Sequence, residues 1–160
     1  MKLHLGVIDV PEPYDSKTTG AVGDDLEERY GLFSMFYNSH KKDIVELVAQ
    51  DAAIGIEKLL KGESVTVANT FAVSGEEITD KMHKFIISQE VERVAAGYGE
   101  QGIPTQAALE GRSYRFEKGV TAKRYVKGKR GKGKEITKRA PRPSFIYSGV
   151  FEASLKGWIE

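Results

Sequence analysis

The chain has 160 residues, of which 40% are apolar, and its 24 basic and 23 acidic side chains leave a formal net charge of +1. This length suffices for a hydrophobic core, so we expect a single domain spanning residues 1–160. The absence of cysteine excludes disulfides, thiolate metal sites and cysteine nucleophiles. We find no apolar run of membrane-spanning length and no charged-then-apolar leader, and therefore expect a soluble protein that stays in the cell that makes it, without membrane contact.

The N-terminus predicts a short strand followed by an arm. Leu3, Leu5 and Val7 alternate with the residues between them, which is the period of a strand, and Pro11 ends the pattern. Residues 11–23 then have no regular periodicity, and we interpret them as a loop or arm.

Two helices are predicted next, with at most a kink between them. Asp24 to Tyr37 has acidic residues where the dipole of a helix N-terminus favours them, and apolar residues at helical spacing. A stronger helix runs from Asp43 to Leu60, between Ser39 and Gly62. The residues predicted on one face of this second helix are Ile44, Leu47, Val48, Ala52, Ile56, Leu59 and Leu60.

The middle of the chain predicts an extended connection and a third helix. Ser64 to Val73 is rich in β-branched residues and favours a strand or extended segment. Ser74 to Glu77 has the spacing of a capping box, with Val73 and Ile78 as its hydrophobic staple, so a helix is expected to start here and to end at Gly97 as a left-handed cap. Its main stripe is Ile78, Met82, Phe85, Ile86 and Gln89, and a second stripe is Ile87, Val91 and Val94.

Near the C-terminus, Pro104 is placed to open a short helix from Thr105 to Glu110. Pro141 and Pro143 favour extended backbone from Ser144 to Tyr147, and the last residues favour a short helix running into a final strand, so that residues 144–160 form the C-terminal unit. We expect Phe151, Leu155 and Trp158 to add apolar burial there. The predicted fold class is α+β, a small β-sheet packed by two or three long helices with a long basic loop.

That basic loop runs from Arg112 to Arg142. It holds 13 of the 24 basic residues and two acidic ones, a balance of +11, so the remainder of the chain carries −10. Val126 to Glu135 has almost nothing apolar to bury and many glycines, which predicts a flexible loop. Its candidate contacts with phosphates or with an acidic partner are Lys127, Lys129, Arg130, Lys132 and Lys134.

Several patterns resemble catalytic or nucleotide-binding motifs without their context. The glycines from Gly97 to Gly102 have dinucleotide-fingerprint spacing but follow a helix instead of a strand, and the phosphate-loop pattern from Gly128 ends in Glu135 where a hydroxyl belongs. His4, His40 and His83 lack the close paired spacing of zinc ligands. An acidic first turn explains Asp24, Asp25, Glu27 and Glu28 more simply than a general acid and base. We therefore predict a protein that is not an enzyme and has no cofactor or metal.

The phrase GIPTQAALEGRSYRF, a Lys/Arg-rich segment and then RPSFIYSGVFEASLKGWIE resemble the tail-completion and neck proteins of tailed bacteriophages. The long helix from Asp43 to Leu60 also resembles the first half of the proteins in that family. In the C-terminal phrase, Tyr147 stands where these proteins more often have an aspartate. The residues that match the family motif, with the tryptophan that follows them, are Arg142, Pro143, Tyr147, Ser148, Gly149, Phe151, Ser154 and Trp158.

The resemblance implies a structural virion protein at the head–tail interface. Such a subunit forms or completes a ring, a hexamer or dodecamer, and contacts neighbouring connector or tail proteins, after assembly in the host cytoplasm. Packaged DNA is a further expected partner, contacted non-specifically. The alternatives are a non-enzymatic nucleic-acid-binding protein that uses residues 112–142, a loop without any partner, and a small hydrolase or nucleotide enzyme.

Overall fold

The computed structural model describes residues 1–12, 16–98, 102–109, 143–146 and 149–160. The basic loop lies outside these ranges. Helices and a small sheet make up the described part, and the α+β prediction is confirmed. The elements in chain order are strand β1 (Leu3–Val7), helices α1 (Thr19–Tyr30), α2 (Leu32–Leu60), α3 (Val67–Thr70), α4 (Ala72–Ile87), α5 (Glu90–Tyr98), α6 (Gln106–Leu109) and α7 (Val150–Ser154), and strand β2 (Leu155–Ile159).

The two ends of the chain form the sheet. Strands β1 and β2 pair antiparallel, with Leu3 opposite Ile159 and Val7 opposite Leu155. Leu155, Gly157 and Ile159 are buried on the inner face, while Lys156 and Trp158 are exposed. The predicted N-terminal strand and the predicted final helix and strand are both confirmed. Closing the chain in this way makes the last residues part of the core.

The core lies between the inner face of the sheet and helices α2 and α4. Phe36 of α2 and Phe85 of α4 are each 1% exposed, and their rings meet edge to face with centroids 5.6 Å apart. The predicted main stripe of the third helix is confirmed at Ile78, Met82, Phe85 and Ile86, all of which are buried. No helix within the described ranges is long and apolar enough to cross a membrane.

The first helix boundary was predicted too late. Helix α1 begins at Thr19, capped by the Thr18 side chain, so the acidic residues from Asp24 onward lie beyond its first turn. The break before α2 is at Gly31, whose backbone is left-handed with φ +61, and not at Ser39. Glu27 closes this break because its carboxylate accepts hydrogen bonds from the Phe33 and Ser34 N–H groups in the first turn of α2.

The predicted extended stretch from Ser64 to Val73 is wrong from Val67 onward. It contains α3, which the Thr66 side chain caps, and the start of α4 at Ala72. Ser74 is consequently inside α4 instead of capping it, and its N–H and hydroxyl both donate to the Asp51 carboxylate on α2, over 2.9 and 2.5 Å. An acid from another helix takes the role that the capping box assigned to local residues.

The predicted third helix is two helices. Helix α4 ends at Ile87, and Gln89, which was placed on its main stripe, is left-handed with φ +59. Helix α5 then continues through Gly97 to Tyr98, so Gly97 does not end it. Val91 and Ala95 are fully buried and pack α5 against the same core. The predicted short helix after Pro104 is present as α6, which begins one residue later than predicted; Glu110, its predicted last residue, lies outside the described residues.

Candidate functional site

The predicted site residues fall into two groups. Lys127, Lys129, Arg130, Lys132 and Lys134, together with Arg142, Tyr147 and Ser148 of the family motif, lie outside the described residues. The motif residues that the structure describes are Pro143, Gly149, Phe151, Ser154 and Trp158. These positions and their neighbours define how the C-terminal unit is held.

A buried polar anchor holds the chain just after Pro143. Ser144 is 0% exposed, and both its N–H and its hydroxyl donate to Oε1 of Glu92 on α5 over 2.9 Å. Phe145 is left-handed with φ +64 and packs its ring against Tyr30, with the centroids 5.3 Å apart. The extended backbone predicted here is therefore wrong at Phe145, because the turn is needed to bring Ser144 to Glu92 and Phe145 to Tyr30.

The motif glycine and the small-residue helix have structural roles. Gly149 has φ +83, a conformation that favours glycine, and lies immediately before α7. Phe151 is 3% exposed and lies against Gly23 of α1, where an added Cβ would be 3.6 Å from its ring. The Ser154 hydroxyl donates to the Phe151 carbonyl over 2.7 Å, and the Ser154 carbonyl accepts the Ile8 N–H. The described part of the motif thus connects α7 to α1 and to the end of β1.

The expectation that Trp158 is buried is wrong. The tryptophan lies on the outer face of the sheet with 40% of its surface exposed. Its ring stacks on His4 across the strand pair at 5.1 Å and 9°, and covers Gly6 at 3.6 Å from a notional Cβ. Strand β2 alternates its side chains between the two faces, which places Trp158 opposite the buried Leu155 and Ile159.

The three histidines each face a carboxylate and serve separate parts of the fold. His4 pairs with Glu160 at 2.9 Å, His40 lies 3.6 Å from Glu90, and His83 lies 3.1 Å from Glu152. His83 also reaches the Leu155 carbonyl at 3.4 Å. Within the ranges that the structure covers, no group of three or more potential ligands could hold a metal ion.

A groove of about 580 Å³ runs beside β1, and both His4 and Ser34 line it. A serine and a histidine that line one groove resemble the residue pair of a hydrolase site. The Ser34 hydroxyl, however, donates to Oε1 of Glu27, and His4 is occupied by Glu160 and Trp158. Ser34 is therefore hydrogen-bonded to Glu27 and His4 to Glu160, and the two residues do not form the serine–histidine pair of a nucleophilic hydrolase.

The most unusual surface is the outer side of α2. The single face predicted for this helix is wrong, since Ile44 is buried and Leu47 and Val48 pack on the core, whereas Ile56, Leu59 and Leu60 are exposed. At about 100° per residue, seven of the apolar residues beyond Ile44 lie on a second arc about a third of a turn wide. We call this arc the outer stripe; its residues are Val45, Ala49, Ala52, Ala53, Ile56, Leu59 and Leu60.

The outer stripe contains no polar residue and is open to water. Val45 is 56% exposed, Ile56 59%, Leu59 58% and Leu60 84%. An arc of this width normally faces a core or a partner, and large exposed apolar patches mark interaction surfaces. The spacing of 45, 49, 52, 56 and 59 alternates between four and three residues, a signal in the sequence that could have separated this stripe from the core face.

Similarity to known proteins assigns neither the groove beside β1 nor the outer stripe to a protein family. No protein-family model matches the chain, and the searches of curated proteins and of solved structures found no significant match.

Proposed function

We propose that the protein is a structural virion subunit of a tailed bacteriophage, which forms or completes a ring at the head–tail interface. The observation that carries the proposal is the outer stripe, because an apolar face of this size on a long helix is typical of a subunit that works in an assembly. The described side chains form hydrogen bonds and ion pairs that hold helices and strands together.

The charge distribution supports a ring. Residues 112–142 carry +11 and the remainder of the chain carries −10. A ring needs two different complementary surfaces on each subunit, and opposite charges on separate parts of one chain supply them. Several such subunits around a channel would also gather positive charge where packaged DNA passes, with contacts to phosphates and not to bases.

The test is to look for rings of the purified protein by native mass spectrometry and negative-stain electron microscopy, without nucleic acid. A matched variant replaces Lys127, Lys129, Arg130, Lys132 and Lys134 by glutamine. We expect wild-type rings that weaken as salt rises, and a variant that keeps the thermal stability of the wild type but assembles poorly. Wild-type protein that forms no ring, alone or on phage connectors and tails, would contradict the proposal.

The alternative is a free-standing nucleic-acid-binding protein, favoured by the 13 basic residues of the same segment. That protein would bind DNA or RNA without forming rings. Its affinity would fall steeply with salt, and the five-glutamine variant would reduce the steepness of that dependence. Binding and ring formation measured on the same samples separate the two functions.

A further inference from the structure

We propose that two copies of the free protein pair through the outer stripe, with their α2 helices antiparallel about a two-fold axis between Ala52 and Ala53. The stripe has larger side chains at both ends, Val45 and Leu60, and alanines around its middle. An arrangement of this kind can be complementary to itself, as a two-fold interface requires.

The register follows from the positions of the residues. With the axis between Ala52 and Ala53, Val45 lies opposite Leu60 of the second copy and Ala49 lies opposite Ile56 of the second copy. Leu60 therefore meets the smaller Val45 and Ile56 meets Ala49, while the central alanines face each other and let the helices approach closely. Large side chains opposite small ones give the interlocking that helix packing needs.

The charges at the ends of the stripe fit the same register. Lys42 continues the line of the stripe one turn before Val45, and Glu63 follows the end of α2 after the left-handed Gly62. Both side chains are exposed, and within the described part of the chain neither has an ion-pair partner. Antiparallel pairing brings Lys42 to the end of the second copy's α2, which Glu63 follows, twice per dimer, whereas parallel pairing would place Lys42 beside Lys42.

The pairing describes the free subunit and does not rest on the proposed function. A two-fold contact uses the same surface on both copies and therefore gives a closed dimer. A ring at the head–tail interface of a phage instead needs contacts between two different surfaces on neighbouring subunits. The dimer would cover the outer stripe of the free subunit, and ring assembly would replace this contact by those between neighbouring subunits. A ring and a dimer can therefore be tested separately, and failure of one leaves the other standing.

The first experiment measures oligomeric state against concentration by analytical ultracentrifugation. Ile56→Lys places a charge on the stripe, and the matched control is Ile54→Lys, the same change on the same helix at an isoleucine that is also exposed, by 51%, but lies on the opposite side. We expect wild type and Ile54→Lys to dimerise alike, with the dissociation constant of Ile56→Lys raised on the order of 100-fold or more. A monomeric wild type, or equal effects of the two substitutions, would overturn the proposal.

The second experiment tests the register by disulfide cross-linking. The chain has no cysteine, so single substitutions give clean reactions. Val45→Cys and Leu60→Cys proteins mixed under mild oxidation should form the mixed dimer, since the two positions face each other. Neither should cross-link to itself, because in this register the two copies of either position lie about 22 Å apart, far beyond disulfide reach. Efficient Val45→Cys homodimers would indicate parallel helices, and no mixed dimer would exclude this interface; either result overturns the proposal.

Discussion

Gly157 of β2 lies directly against Ile78 of α4: a Cβ at position 157 would be 2.7 Å from the Ile78 Cγ2 atom. The same residue donates its N–H to the Thr79 hydroxyl over 2.9 Å. One hydrogen bond therefore joins the outer edge of β2 to α4, and the close approach of the strand to the helix requires a residue without a side chain at position 157. The end of the chain can reach the core only because a glycine occupies this position.

Gly157→Ala should accordingly destabilise the protein by about 1 to 3 kcal/mol, the usual cost of overpacking a core. The matched control is Gly6→Ala on the paired strand, where the added Cβ would meet the Trp158 ring at an ordinary 3.6 Å. Urea denaturation followed by circular dichroism measures both. If the two variants were equally stable, α4 and β2 could move apart without lowering the free energy of unfolding.

The sequence predicted the parts of the fold whose signals are local. The β1 alternation and the Ile78, Met82, Phe85 and Ile86 stripe are read directly from periodicity. Helix boundaries were missed where residues distant in sequence decide them. Ser74 shows why, because its partner Asp51 belongs to a different helix and no local pattern identifies it.

Asp51→Ala should destabilise the protein by about 2 to 3 kcal/mol. The carboxylate accepts the N–H of Ser74, one of the first N–H groups of α4 that has no partner within the helix, and its removal would leave buried polar groups unsatisfied. Asp51→Asn should cost less, since both bonds go to the same oxygen of Asp51 and an amide oxygen in that place still accepts them. Thermal unfolding monitored at 222 nm measures the difference.

The control for this prediction is Gln50→Ala, one residue earlier on α2 and exposed. It should change stability little. If Asp51→Ala were no more harmful than Gln50→Ala, the connection between α2 and α4 would not depend on this contact.

The candidate surfaces were predictable only in part. The basic loop and the family motif were identified by composition and by short phrases, but the outer stripe was merged with the core face of α2. Ile56 and Leu60 are apolar like Ile44, but at about 100° per residue they lie about 120° and 160° around the helix from it, on the arc that also contains the exposed Val45. The two faces were merged because the apolar residues were grouped without regard to these angles.

Removing residues 149–160 should abolish cooperative unfolding. The truncation takes away α7 and β2, and with them Phe151 and Leu155, each 3% exposed in the core. Strand β1 would lose its only described pairing partner, and an unpaired strand is not independently stable. Near-ultraviolet circular dichroism and urea titration give the readout.

A full-length comparison for this truncation is the pair Leu155→Ala and Trp158→Ala. The buried leucine should cost about 2 to 4 kcal/mol, and the partly exposed tryptophan should cost less than the leucine despite its size. A truncated chain with wild-type stability would mean that the C-terminal phrase is dispensable for folding and would weaken the family resemblance built on it.

The last prediction concerns acid stability and Asp9, which connects the end of β1 to the start of α1. The hydrogen bond from the Thr18 side chain, and the backbone N–H of Gly20 at 2.9 Å, hold the pKa of the Asp9 carboxyl below its ordinary value of 3.8. A carboxyl whose pKa is lower in the folded state stabilises the fold above its unfolded pKa, and this contribution disappears as the pH falls through the lower, folded value. Asp9→Asn should therefore be less stable than wild type at pH 7, and the gap should narrow below about pH 4. Asp24→Asn removes the same charge from the exposed surface of α1 and serves as the control in thermal melts from pH 7 to pH 2.5. A gap between wild type and Asp9→Asn that stayed constant over this range would mean that the charge of Asp9 adds nothing to the hydrogen bonds that an asparagine can also accept.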